Sequence, residues 1–126
     1  MNEARYCQEF GKLFKKHRIE MGKTLREFCR DNGFDHGNIS RMERGRQKPP
    51  TGESLDRYLA ALRIQPQSDL WYEFRDVAAA CAGEVPERLM EDEDVVQKLP
   101  AVFKTLARKR PTREELDKLM DLLRRT

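Results

Sequence analysis

Gly22, Gly33 and Gly45 each close an apolar stripe of helical period, and this punctuation restricts the first part of the chain to short helices joined by tight turns. Phe10, Leu13, Phe14, His17 and Met21 recur at i, i+3, i+4, i+7 and i+11, one face of an amphipathic helix that Gly22 ends. Thr24 with Glu27 three residues on forms a capping box for a second helix, with Leu25, Phe28 and Cys29 inward and a stop at Asn32-Gly33, about two turns later. Asp35 suits the N-cap of a third, because its carboxylate can accept from the free amides of the following turn; Ile39 and Met42 then point inward as far as Gly45. Residues 46–50, RQKPP, read as a loop, since two prolines do not fit a helical ladder.

Leu55, Tyr58, Leu59 and Leu62 predict a fourth helix. Ser68 caps a fifth that carries Leu70, Trp71, Phe74, Val77, Ala78 and Cys81 and ends at Gly83. Further on, Val95, Val96, Leu99, Val102, Phe103 and Leu106 are interrupted by Pro100, which predicts two short helices or a kinked one. Thr112 and Glu115 make another capping box before a last helix with Leu116, Leu119, Met120 and Leu123 on one side. No strand pattern of period two persists, so the expected fold class is all-α.

A chain of 126 residues suffices for one compact domain, or for a small domain with a helical extension. No apolar run approaches the ~18 residues needed to span a bilayer, and MNEARYCQEF lacks the basic-then-apolar order of a secretory signal, so no membrane association and a cytoplasmic location are expected. Cys7, Cys29 and Cys81 are an odd number at wide spacing with no CxxC, and only two histidines accompany them. Neither a disulfide framework nor a metal site follows, and no cofactor is expected. Cys29 and Cys81 read as small core residues, whereas Cys7 is left unassigned. His17 reads as a partly buried structural histidine.

Charge is unevenly spread. Residues 1–50 hold twelve Lys/Arg against seven Asp/Glu, whereas residues 51–126 hold thirteen against fifteen, so the basic part is the N-terminal part. That surplus suits a polyanionic partner. Within the second part, residues 84–94 carry six acids and one base and residues 98–113 six bases and no acid. The chain has no phosphate-binding glycine loop, no metal cluster and no nucleophile with a placed base, so it is not expected to be an enzyme.

The stretch from Thr24 to Gly45, TLREFCRDNGFDHGNISRMERG, resembles the DNA-binding unit of the phage Cro and repressor family, also called the xenobiotic-response-element family. The match is gapless: apolar at Leu25, Phe28, Phe34, Ile39 and Met42, small at Cys29, Gly33 at the turn, and Glu43-Arg44-Gly45 at the end. The resemblance implies a five-helix domain over roughly residues 10–64, further if the Trp71 helix packs on it, with a helical extension beyond. On that reading residues 1–65 are a helix-turn-helix DNA-binding domain and residues 66–126 an extension for dimerisation or partner binding.

The resemblance further implies that His36, Gly37, Ser40 and Arg41 read bases, with Arg41 best suited because a guanidinium can bond guanine O6 and N7 together. Arg44, Arg46 and Lys48, with Arg26 and Asn38 as weaker candidates, would hold phosphates. Arg18 and Glu43 match positions that form an ion pair in that family. The implied function is a sequence-specific transcriptional regulator, a repressor on an inverted-repeat operator in double-stranded DNA, acting as a homodimer through the Leu116, Leu119, Met120, Leu123 stripe.

The second half is similar to the tails of regulators from phage-like or integrative elements at three places, Glu73 to Cys81, Gly83 to Glu87 and Leu99 to Thr105. Such regulators are relieved by a separate peptidase or hold a toxin. The alternative function is therefore an antitoxin or adaptor whose C-terminal helices bind a protein partner while the chain regulates its own promoter. Self-cleavage at Ala82-Gly83 is excluded by chemistry, because no serine follows Gly83 to act as nucleophile.

Overall fold

The computed structural model describes residues 4–125, with side chains from Gln8 onward; the side chain of Cys7 lies outside that set. Among the described residues the chain is all-α, with eight helices and no strand: α1 (Ala4–Glu20), α2 (Leu25–Asn32), α3 (His36–Glu43), α4 (Gly52–Ala61), α5 (Asp69–Ala82), α6 (Glu87–Met90), α7 (Glu93–Lys109) and α8 (Arg113–Arg124). No helix among them is long and apolar enough to cross a membrane.

The turn chemistry follows from the sequence residue by residue. Thr24 Oγ1 accepts from Glu27 N at 3.1 Å and Glu27 Oε1 accepts from Thr24 N at 3.0 Å, closing the capping box of α2. Gly33 takes the left-handed conformation, φ 69°, and the Phe34 amide returns to Cys29 O at 2.9 Å, so the chain reverses within Gly33-Phe34-Asp35. Asp35 Oδ2 accepts from Asn38 N at 2.8 Å and starts α3. Ser68 caps α5 through Trp71 N at 3.2 Å, and Gly83 ends it at φ 73°.

The contacts divide the chain at Pro86 and Glu87. The first unit is built on Phe10, Phe14, Phe28 and Phe74, all fully buried, with Ile39, Met42, Leu55 and Leu59 around them. Phe14 meets Phe28 edge-on at 5.6 Å and Phe10 meets Phe74 at 5.9 Å, geometries that favour aromatic pairs beyond their buried area. Phe74, Ala78 and Cys81 belong to α5, which packs against α1. The compact unit therefore runs past residue 65, where the sequence suggested a boundary, because α5 supplies its fifth helix. His17 is half-buried with its ring 5.5 Å from that of Phe74, and Cys29 and Cys81 are buried free thiols.

In the second unit α6 packs on α7, and α7 continues through Pro100 as one helix, in place of the two short helices that the proline allowed. Pro100 has no N–H to offer the Val96 carbonyl. Thr112 and Glu115 form the capping box of α8, with bonds of 3.1 and 3.2 Å. Leu116, Leu119, Met120 and Leu123 are exposed in the single chain.

Two carboxylates near α2 set an acid limit. The Thr24 backbone N–H, first, holds the Glu27 carboxyl below its ordinary range, and a hydrogen bond from Lys23 does the same for Asp31. A carboxyl whose native pKa is depressed stabilises the fold above its unfolded pKa and loses that contribution as pH falls. Stability should thus decline below about pH 4. Urea midpoints of Glu27→Gln, which keeps the capping geometry without the charge, should fall less between pH 7 and pH 3 than those of the unsubstituted chain.

Candidate nucleic-acid interface

Two features of α1 fix the far end of α3. Gly11 is buried against that end so closely that a Cβ built there would stand 2.5 Å from Met42 O, 2.8 Å from Glu43 C and closer still to Glu43 O. Only a glycine lets the two backbones approach in this way. Two turns along α1, Arg18 donates from Nε to Glu43 Oε2 at 2.7 Å and from Nη2 to Glu43 Oε1 at 2.9 Å, a bidentate pair. Arg18 is 5% exposed and Glu43 8%. Nη1 of the same guanidinium bonds Lys23 O at 2.8 Å, so one side chain joins α1, the segment before α2 and the end of α3. Glu43 faces inward and serves the fold.

With its end held from behind, α3 presents its first turns to solvent. His36 is exposed at the first helical position, Asn38 and Arg41 are exposed, and Gly37 and Ser40 are half-exposed. Arg41 does not hang free. Its Nη2 donates to Asn38 Oδ1 at 2.8 Å and its Nε to Gln47 Oε1 at 3.3 Å, which steadies the guanidinium over the N-terminal half of the helix. These bonds use the inner edge of the fork; Nη1 and the second hydrogen of Nη2 form an outer edge suited to two acceptors side by side. Gly37 lies beneath this group, where a Cβ would come 3.2 Å from Arg41 Nη1 and 3.3 Å from Asp35 Oδ2.

The chain leaves α3 through Gly45 at φ 72°, with the Arg46 amide on Arg41 O at 2.8 Å, so the loop of residues 46–50 begins tied to the helix. Arg44, Arg46 and Lys48 are exposed there, and Arg44 Nε contacts Ser40 O at 3.3 Å. Arg26 is exposed in the first turn of α2. The structure therefore links Asn38, Arg41 and Gln47 directly, keeps Gly37 under them, and sets Arg44, Arg46 and Lys48 at and after the helix end. Asn38, expected to hold phosphate, braces Arg41 through its Oδ1.

No protein-family model, curated protein or solved structure matches this chain. Two residues that the geometry makes central carry little signal in the sequence. Gln47 belongs to the loop of residues 46–50, and what marks it is a polar side chain where the chain doubles back on Arg41. Gly11 stands within a helical pattern beside Phe10, where a glycine commonly marks close packing. Among the described residues no group of His, Cys, Asp and Glu is arranged to hold a metal ion. A shallow depression of about 340 Å³ is lined by Asn32, Phe34, Arg57, Ala60 and Ala61 and includes none of the α3 residues named above.

Proposed function

We propose that this protein is a sequence-specific DNA-binding regulator, a repressor, in which α2 and α3 act as a helix-turn-helix and α3 enters the major groove. The observation that carries the reading is the braced Arg41 guanidinium, exposed on α3 with its outer edge directed away from Asn38 and Gln47. Guanine offers O6 and N7 as adjacent acceptors in the major groove, and a bidentate arginine there contributes about 1–3 kcal/mol of discrimination. Bracing the side chain beforehand reduces the rotamer entropy lost on binding.

His36 and Ser40 supply shorter donors and acceptors beside Arg41, and Gly37 lets the backbone come near the base edges. Arg44, Arg46 and Lys48 would neutralise phosphates and set register without reading sequence, each contact adding about 0.9 to the negative salt slope. A dimer on paired half-sites enlarges the contact, which predicts an inverted repeat with half-site centres about 34 Å apart. The partners are then double-stranded DNA and a second copy of the chain.

Selection of bound duplexes from a random pool tests this reading: an enriched inverted repeat is expected, and recovery of no motif at low ionic strength contradicts it. Gly37→Ala separates folding from binding. Its methyl meets only Arg41 Nη1 and Asp35 Oδ2, at 3.2 and 3.3 Å, so the stability of the fold should change by no more than about 1 kcal/mol. Binding to the selected duplex should nevertheless weaken, because the same methyl displaces Arg41 and holds the backbone off the groove. Thermal melting and anisotropy titration of one protein sample measure both.

A further inference from the structure

The second unit, Glu87–Thr126, buries no side chain among its described residues. Forty residues without a buried core do not offset the entropy of ordering them, so the apolar rows of this unit require a cover. Val102, Phe103 and Leu106 of α7 are 44%, 52% and 38% exposed. The pattern along α7 indicates what that cover is.

Reversal about Ala101, the midpoint of Glu93–Lys109, carries Val95 onto Ala107, Val96 onto Leu106, Leu99 onto Phe103 and Pro100 onto Val102. The apolar row reads alike in both directions. The ends reverse in sign: Glu91, Asp92, Glu93 and Asp94 precede the row, and Arg108, Lys109 and Arg110 follow it. A two-fold axis across the middle of α7 would lay apolar positions on apolar positions and each acidic end on a basic one. In α8 reversal about the bond between Leu119 and Met120 likewise sets Leu116 on Leu123 and Leu119 on Met120. Self-pairing therefore fits α7 as well as the α8 stripe that the sequence suggested.

We infer that two copies of this chain associate through an antiparallel α7–α7 pair, with the acidic N-terminal turn of each helix against the basic C-terminal turn of the other. The two ends of one α7 lie about 22 Å apart, since fifteen residues rise at 1.5 Å each, beyond the ~8 Å screening length at physiological salt, so they do not pair with each other, whereas a reversed second copy brings the opposite sign to each.

Sedimentation equilibrium of the full chain should show a dimer at tens of micromolar, and Phe103→Glu should raise its dissociation constant about a hundredfold. Reversing the acidic end (Glu93→Lys with Asp94→Lys) or the basic end (Arg108→Glu with Lys109→Glu) should each raise it about tenfold at low salt, and all four changes together should restore it to within about threefold. Circular dichroism verifies that each variant keeps its helices. Charges at helix ends acting only through the helix dipole predict the opposite, since each reversal opposes the dipole and the fourfold variant would be the weakest. A monomeric unsubstituted chain, or reversals that add instead of cancelling, would overturn the inference. It is independent of α3: a dimer that ignores every duplex leaves it standing, and a monomer that still selects an operator defeats it alone.

Discussion

Gly11→Ala is expected to destabilise the first unit by about 3 kcal/mol or more and to lower its melting temperature by about 15 °C. An added methyl would lie 2.5 Å from Met42 O and 2.8 Å from Glu43 C, backbone atoms that move only if α3 moves. Elsewhere in an open helix the same substitution stabilises by up to about 1 kcal/mol, so the sign of the effect is itself diagnostic. Differential scanning calorimetry decides it. An unchanged or raised melting temperature would mean that α1 and α3 are not in this backbone contact.

The second large effect concerns the buried pair. Arg18→Met leaves the Glu43 carboxylate without its guanidinium in a site that is 8% exposed, and should cost about 3–5 kcal/mol; Glu43→Leu should cost a similar amount by stranding Arg18. Replacing both removes the uncompensated charge, so the double variant should be more stable than the sum of the single effects predicts, by about 1–3 kcal/mol in a double-mutant cycle. Additive losses in urea unfolding would show that the two side chains do not act on one another. Arg18 also bonds Lys23 O, and part of its loss should persist in the double variant for that reason.

The local elements were legible because each carried its own punctuation. Thr24, Asp35, Ser68 and Thr112 cap the helices they precede, and the left-handed turns fall at Gly22, Gly33, Gly45 and Gly83. The stripe Phe10, Phe14, Phe28, Ile39, Met42, Leu55 and Leu59 lies in the core for the same periodic reason. What the pattern did not convey was how helices distant in sequence meet. Whether α5 completes the first unit depends on Phe74 finding Phe10, and periodicity says only that Phe74 faces inward somewhere. Pro100 carried a strong local preference for a break, yet α7 runs through it.

The candidate interface was legible in part. The exposure of His36, Asn38 and Arg41 follows from their lying opposite Ile39 and Met42 on a short helix. The bracing of Arg41 by Gln47 required the path of the loop after Gly45, which no residue spacing encodes. The reversal symmetry of α7, in contrast, stands in the sequence alone. It gained meaning once Val102, Phe103 and Leu106 proved to be exposed instead of packed in a core.

The braced arginine offers the most direct measurement. Binding of Arg41→Ala and Lys48→Ala should be titrated, at one fixed salt concentration, against the selected operator and against duplexes carrying single base-pair changes in each half-site. Arg41→Ala is expected to abolish the preference at one position per half, a loss of about 1–3 kcal/mol of discrimination there, while Lys48→Ala weakens every duplex alike. An Arg41→Ala protein that ranks all the duplexes as the unsubstituted chain does would contradict the assignment of α3 as the element that reads sequence.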